Sequence, residues 1–452
     1  MNSTTRFLKA KVILTQKITA AIASADFSRK VLRLEVPIGD IKPLTCLDAN
    51  NFKAKIFWQD RGGKTAIVAL GEADSIWQRG RVNYSSLLKK MHTSLACHRS
   101  ARYFGGICFD AGNLKEPWTN FGAGRFILPR FEITQSRGRT TLSCNLFLPR
   151  DKRHGPQIID ELKSVKIQTT TKSRQQVNSH VIRLDTPNKK TWDEILDRTL
   201  TSIYQSAYDK VVLARQSKFT LKNRPLISGL LTHLITQAPR CFIFSFQFDA
   251  QHVFLGATPE RLYRREDGKI MTEAIAGTRS QGRNKTERQR LITELLNSAK
   301  EHREHHFVVD MLHQRLNRLC VHFSQNSQPQ LLSFHGGYHL LTQFKGNLKP
   351  KITDAGLLKE LHPTPAVAGS PTNLALKEIR KAEPFSRGWY AGPVGFIGRD
   401  TAEFAVAIRS GILNNRTMTV FAGAGIVAGS TADNEWQEIE QKIEIFREVI
   451  GV

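Results

Sequence analysis

A mixed α/β fold is predicted by three observations: period-two segments, glycine-marked hairpin turns, and long charged amphipathic helices interspersed between the strands. The chain has 452 residues, enough for a substantial core. Hydrophobic residues make up 40% and charged residues 23%, which is a globular balance and not a disordered one. No internal repeat or low-complexity tract interrupts it.

The elements follow in order. The first 25 residues lack acids and carry Arg6, Lys9, Lys11 and Lys17. That composition has a faint likeness to a mitochondrial transit peptide. Phe7, Val12, Ile13 and Ile18 instead make it a basic surface helix with an apolar stripe. Lys30–Pro37 alternates as a strand. Lys53–Trp58 and Thr65–Leu70 pair around Arg61-Gly62-Gly63. Tyr103–Asp110, Arg125–Glu132 and Thr140–Phe147 are further strands. The polar stretch Lys163–Asn188 reads as a connection or an exposed hairpin. Beyond it, Asp209–Phe219 is a strand, Cys241–Asp249 and His252–Leu255 form a hairpin, and Glu287–Leu319 is one long amphipathic helix. Arg416–Ala422 is a strand, followed by a glycine-rich turn and a last helix from about Asp433.

Bulk properties exclude several classes. No apolar run is long enough to span a bilayer, and no secretory leader is discernible, so no membrane role is expected. Six scattered cysteines without a C-x-x-C pattern read as reduced core thiols of a cytoplasmic protein. The net charge of +26 is the natural footprint of nucleic-acid binding. Yet the basic residues are spread along the chain and are not interleaved with stacking aromatics. An anionic substrate would favour the same field, and no nucleic-acid partner is expected.

Five constellations have chemistry within reach, each with a plainer reading beside it. Glu435, Glu438 and Lys442 share one helical face, as a hard-cation site or as a solvated i,i+4 charge pair. Glu301 and Glu304 repeat that spacing next to His302, His305 and His306; no H-E-x-x-H zinc pattern is present, and oxygen ligands suit Mg²⁺ better. Lys210 shares a strand face with Val212 and Ala214. Turned inward, such a lysine would be desolvated and usable as a base; turned outward, it is a strand-end lysine in water. Glu260, in Thr258-Pro259-Glu260-Arg261, is a strand-end acid or a turn residue paired with Arg261. Ala422–Ser430 has the spacing G-x-G-x-x-x-G and not G-x-G-x-x-G, which rules out a dinucleotide site while leaving backbone N–H groups for a carboxylate.

Several further strings converge on one family. Glu273-Ala274-Ile275-Ala276-Gly277-Thr278, His362-Pro363-Thr364-Pro365-Ala366-Val367-Ala368-Gly369, Arg387-Gly388-Trp389-Tyr390-Ala391-Gly392-Pro393-Val394-Gly395 and Ala402–Ser410 resemble, in order, the motifs of chorismate-utilising enzymes. These include isochorismate synthases, salicylate synthases, anthranilate synthase large components and aminodeoxychorismate synthases. More weakly, Phe57-Trp58-Gln59-Asp60-Arg61, Phe109-Asp110 and Leu128-Pro129-Arg130 resemble the menaquinone-pathway isochorismate synthases. The resemblance thus spans nearly the whole chain.

The resemblance implies the fold of the anthranilate synthase large component: one large α/β domain with two face-packed, mainly antiparallel sheets flanked by helices. Residues 1–190 would be its N-terminal α/β region and residues 191–452 its chorismate-binding catalytic region. The family's general base falls on Lys210 and its general acid on Glu260. The Mg²⁺ ligands fall on Glu304 and Glu438, supported by Glu301 and Glu435. Substrate contacts fall on Gly277, Thr278, Ala366, Tyr390, Arg409, Gly423, Gly425 and Lys442. The implied reaction is chorismate to isochorismate, by water addition at C2 and loss of the C4 hydroxyl. Anthranilate-forming relatives usually have glutamine in place of Lys210 and depend on a glutaminase, so no glutaminase subunit is expected. Salicylate synthases, the nearest alternative, keep the lysine but tend to have a hydroxyl residue near Ala366. Glu301 departs from the aspartate of many members. A monomer or homodimer is expected.

Overall fold

The computed structural model describes residues 3–24, 30–110, 114–168, 181–280, 282, 284–334 and 337–451. The N-terminal region runs α1 (Ser3–Ala23), β1 (Val31–Pro37), β2 (Lys55–Gln59), β3 (Thr65–Gln78), α2 (Tyr84–Leu95), β4 (Arg102–Ile107), β5 (Gly124–Ser136), β6 (Arg139–Phe147), α3 (Gly155–Ser164) and β7 (Ile182–Thr186). Then come α4 (Lys189–Tyr204), β8 (Lys210–Thr220), α5 (Ile227–Gln237), β9 (Phe242–Gln247), β10 (His252–Thr258), β11 (Arg261–Glu266), β12 (Lys269–Ser280), α6 (Lys285–Asn297) and α7 (Ala299–Leu319). The chain closes with β13 (Cys320–Gln325), β14 (Gln330–Phe334), β15 (Gly337–Leu348), α8 (Asp354–Leu361), β16 (Gly369–Ser370), α9 (Thr372–Ala382), β17 (Pro393–Gly398), β18 (Thr401–Val406), β19 (Ser410–Asn414), β20 (Thr417–Ile426) and α10 (Ala432–Ile450).

The predicted pair of sheets is realised as two arms of one curled, antiparallel network. β5 is the branch point, because it is long enough to hold β3 on one edge and both β6 and β4 on the other. One arm continues β3–β2–β9–β10–β19–β20–β8–β7. The other continues β4–β17–β18–β11–β12–β15. The chain steps from arm to arm at Pro259-Glu260, between β10 and β11, and at Ala407–Arg409, between β18 and β19. These two crossings are stitched together by Val406 N–H to Glu260 O (3.0 Å), Ala257 N–H to Arg409 O (3.0 Å) and the Thr258 hydroxyl to Val406 O (2.7 Å). Arg409 holds a left-handed φ of 50°, an uncommon conformation for a side chain of that size. Behind the crossings, Trp389 packs edge-on against Phe121, Phe246 and Phe254, and its indole N–H donates to Gly122 O at 3.0 Å. This aromatic knot joins both regions in one core.

Four expectations need correction. The buried stripe of α1 is Phe7, Ala10, Leu14 and Ile18, while Val12 and Ile13 are exposed. The stretch Glu287–Leu319 is two helices: Ser298 ends α6 and caps α7, its hydroxyl accepting from Glu301 N–H. Gly423 to Ile426 are not a turn but the end of β20, held in register against β8, and the turn begins only at Val427. Cys97 is exposed, whereas the other five thiols are buried. Part of the polar connection, residues 169–180, lies outside the described residues. No described helix is long and apolar enough to cross a membrane.

Candidate active site

A cavity of about 590 Å³ opens between the arms, and every residue lining it lies between Asp209 and Lys442. That volume suits a small organic ligand. Of the residues singled out from sequence, Glu260, Gly277, Glu301, Glu304, Ala366, Tyr390, Arg409, Gly423, Gly425, Glu435, Glu438 and Lys442 all line it. Thr278 follows on β12, but its side chain lies outside the described residues.

Lys210 opens β8 and sits just behind the wall, 1% exposed, with its Nζ donating to Glu304 Oε1 at 2.6 Å. The neighbouring strand makes room for it. A Cβ on Gly425 would come 2.9 Å from Lys210 Cε and 3.5 Å from Glu304 Oε1, so a glycine is needed where the lysine passes. Gly277 does the same for α7: its φ is 74°, and a Cβ there would meet Glu301 Cβ at 3.2 Å.

Glu260 sits at the first crossing, 4% exposed. Its backbone is pinned to Val406, and Thr364 offers its hydroxyl to Oε1 at 3.4 Å. Burial pushes its carboxyl up to about 7, with the Thr364 hydrogen bond and Lys210 pulling the other way and Glu273 adding to the rise. A carboxylic acid that holds its proton near neutrality suits proton donation.

The two acid pairs face the cavity near the starts of two helices: Glu301 in the first turn of α7 with Glu304 one turn on, and Glu435 in the first turn of α10 with Glu438 one turn on. α7 packs on β12 and α10 on β20, so each pair is carried by a different arm. Helix N-termini favour the negative charge of Glu301 and Glu435. The acids are paired with bases: Glu304 with Lys210, Glu301 with Arg279, and Glu438 with Lys442 at 2.5 Å. Lys442 also donates to Gly423 O at 2.8 Å. Among the described residues, no three His, Cys, Asp or Glu form a ready-made metal cage. The donor set is nonetheless all carboxylate, which fits a hard cation that takes one or two protein oxygens and completes its shell with water and ligand. The nearby histidines are occupied elsewhere: His302 with Leu296 O, His305 with the Thr342 hydroxyl and His306 with Asp310.

Several lining residues escaped the sequence reading. His339 on β15 bonds Gly277 O through Nδ1 at 3.0 Å, and burial lowers its pKa to about 3, so the ring is neutral. Arg279 and Arg303 add positive charge to the wall. Arg387, although quoted within a motif, braces the wall from behind. It donates to Val212 O and Val367 O, which fixes two apolar wall segments. Tyr390 stacks on Phe421 with ring centres 5.4 Å apart.

Two opposed sheet arms, a buried lysine, a proton-holding acid and facing carboxylate pairs define an enzyme for a small anionic substrate. A family model described as "Chorismate binding enzyme" matches residues 16–451, and the chain belongs to that family. Within it, the chain is 30% identical over 436 residues to the isochorismate synthase MenF of Bacillus subtilis, covering 91% of this chain and 92% of that protein. It is likewise 30% identical over 422 residues to isochorismate synthase MenF of Escherichia coli, covering 91% of this chain and 92% of that protein. The solved structure of the menaquinone-specific isochorismate synthase from Escherichia coli superimposes with a TM-score of 0.85 at 27% identity, over 97% of this chain and 99% of the other. Anthranilate synthase component I from Streptococcus pneumoniae shares the fold, with a TM-score of 0.67 at 19% identity, over 94% of this chain and 93% of the other.

Proposed function

We propose that this chain is an isochorismate synthase, adding water at C2 of chorismate and releasing the C4 hydroxyl, in the pathway that feeds menaquinone. The observation that carries this is a buried lysine, Lys210, beside a cavity that is also lined by Glu260, an acid that holds its proton up to about neutral pH. Lys210, entering the step as the neutral amine, takes a proton from water and becomes the ammonium as the water oxygen bonds to C2. The ring double bonds shift, and Glu260 gives its proton to the C4 oxygen as that C–O bond breaks. One water enters and one leaves, so the reaction is an isomerisation and needs no redox partner. Tyr390, Arg409 and Lys442, with the backbone at Gly277, Gly423 and Gly425, hold the substrate's carboxylates, and Thr278 and Ala366 complete the contacts.

Mg²⁺ is the proposed cofactor, with Glu304 and Glu438 as ligands and Glu301 and Glu435 in support. When bound, it would supply positive charge to neutralise a substrate carboxylate. The proposed compartment is the cytoplasm, in keeping with unpaired thiols. The proposed working unit is a monomer or homodimer without a glutaminase or a nucleic-acid partner. Incubating the purified chain with chorismate and Mg²⁺ tests the reading: isochorismate is the expected main product. Salicylate and pyruvate as the main early products would replace it with salicylate synthase.

A further inference from the structure

None of the described residues among 1–190 lines the cavity, yet the Arg61 side chain reaches the wall residue Pro259. Arg61 projects from the β2–β3 turn. That turn is fixed by Thr65 N–H to the Asp60 carboxylate at 3.0 Å and by Gly63 N–H to Asp60 O at 2.9 Å. Arg61 Nη1 donates to Pro259 O at 3.0 Å, on the peptide bond just before Glu260. The same guanidinium grips Glu273 with both prongs, at 2.5 and 2.8 Å. Glu273 is wholly buried and also receives Arg261 at 2.6 Å, which in turn holds Glu403 at 3.0 Å. The segment Pro259-Glu260-Arg261 is therefore clamped from behind on both sides of the acid.

We infer that Arg61 is a positioning residue, which holds the Pro259-Glu260 crossing in place and neutralises Glu273 behind it, so that the acid meets the substrate in the right place and protonation state. The inference rests on the assignment of Glu260 as the acid. The groups that bear on Glu260 are Lys210 from β8, Glu273 from β12 with its two arginines, the Thr364 hydroxyl and the Tyr390 phenol. Removing Arg61 leaves Glu273 with Arg261 and Gln343 alone. Its negative charge then acts more strongly on Glu260 and disfavours ionisation of the acid.

The test compares Arg61→Ala, Arg61→Lys and Glu260→Gln in the full chain with chorismate and Mg²⁺. For Arg61→Ala, kcat should fall about tenfold to a hundredfold, as for a slightly misplaced catalytic group. KM should hold within about twofold, because no substrate contact is lost. The alkaline limb of the kcat profile should move to higher pH, and free guanidinium ion below unfolding concentrations should restore part of the rate. Arg61→Lys keeps the charge but not the fork. It should keep the limb and lose kcat, and it decides the matter if Arg61→Ala does not fold. Unchanged kcat and limb in the folded variant, or a raised KM with kcat intact, overturns the inference. An inert Glu260→Gln beside a fully active Arg61→Ala refutes the positioning role alone. A fully active Glu260→Gln refutes the acid assignment beneath it.

Discussion

The N-terminal residues 1–190 bury charge as deeply as residues 191–452 do, but they surround that charge with fixed partners. Arg130, 6% exposed, takes Asp151 with both prongs and also donates to Asn145 O at 2.8 Å. Asp151 in turn accepts Phe147 N–H at 2.6 Å. Arg33 likewise binds Glu35, Glu132 and Ser143 at 2.5 to 2.9 Å. Glu132 and Asp151 are fully enclosed by these partners, and Glu35 reaches solvent at the rim of its cluster. In residues 191–452 the buried charges of the site face open space instead. Glu260 has one hydroxyl at 3.4 Å and a cavity before it, and Lys210 is tied to a carboxylate whose side chain is 31% exposed. Buried charge by itself therefore marks strength or chemistry equally well. Space beside it, and partners it can exchange, mark chemistry.

Removing one member of a buried pair on each side should break this contrast if it is wrong. The largest effect is expected for Lys210→Ala. Loss of the proposed base should lower turnover at least about a hundredfold, the usual contribution of general-base catalysis, while circular dichroism and the melting profile stay close to those of the parent. Unchanged activity would remove Lys210 as the base. Arg130→Ala should do the opposite. It strands Asp151 in the core and should cost roughly 3–5 kcal/mol, read as a lower denaturation midpoint, with kcat per folded molecule unchanged.

A smaller effect sharpens the same comparison through pH. The Glu260 carboxyl is raised to about 7 when folded, so the folded chain holds a proton that the unfolded chain gives up near the ordinary carboxyl value of 4.5. Its contribution to stability is full below that ordinary value and is lost as pH rises through about 7. Glu260→Gln cannot ionise. Melting compared at pH 5 and pH 8 should show the variant gaining on the parent at the higher pH, by up to about 3 kcal/mol. A constant difference would mean that the acid is not held protonated.

Much of this was legible in the sequence, for reasons tied to particular residues. The β2–β3 hairpin is announced by its glycine turn, and the acid pairs by their i,i+3 spacing, which fits a solvated face equally well until the ordered motifs are read beside it. Other features were hidden. Ser298 breaks a helical pattern whose apolar period runs on past it, so the cap was invisible. Gly423 and Gly425 mimic a turn, but the missing Cβ of Gly425 admits Lys210 and that of Gly423 admits the Tyr390 hydroxyl. His339 looks like any strand residue, and only pairing with β12 brings it to the cavity. Arg61 reaches Glu273 across 212 residues, a contact that no local pattern encodes.

The central claim is that water, activated from the C-terminal region, supplies the new hydroxyl. Turnover of chorismate in oxygen-18 water, followed by mass analysis of the product, tests it most directly. Isochorismate labelled at the C2 oxygen, formed by the parent chain and not by Lys210→Ala, is the predicted result. Unlabelled isochorismate would mean that the C4 hydroxyl itself migrates, and would contradict the account.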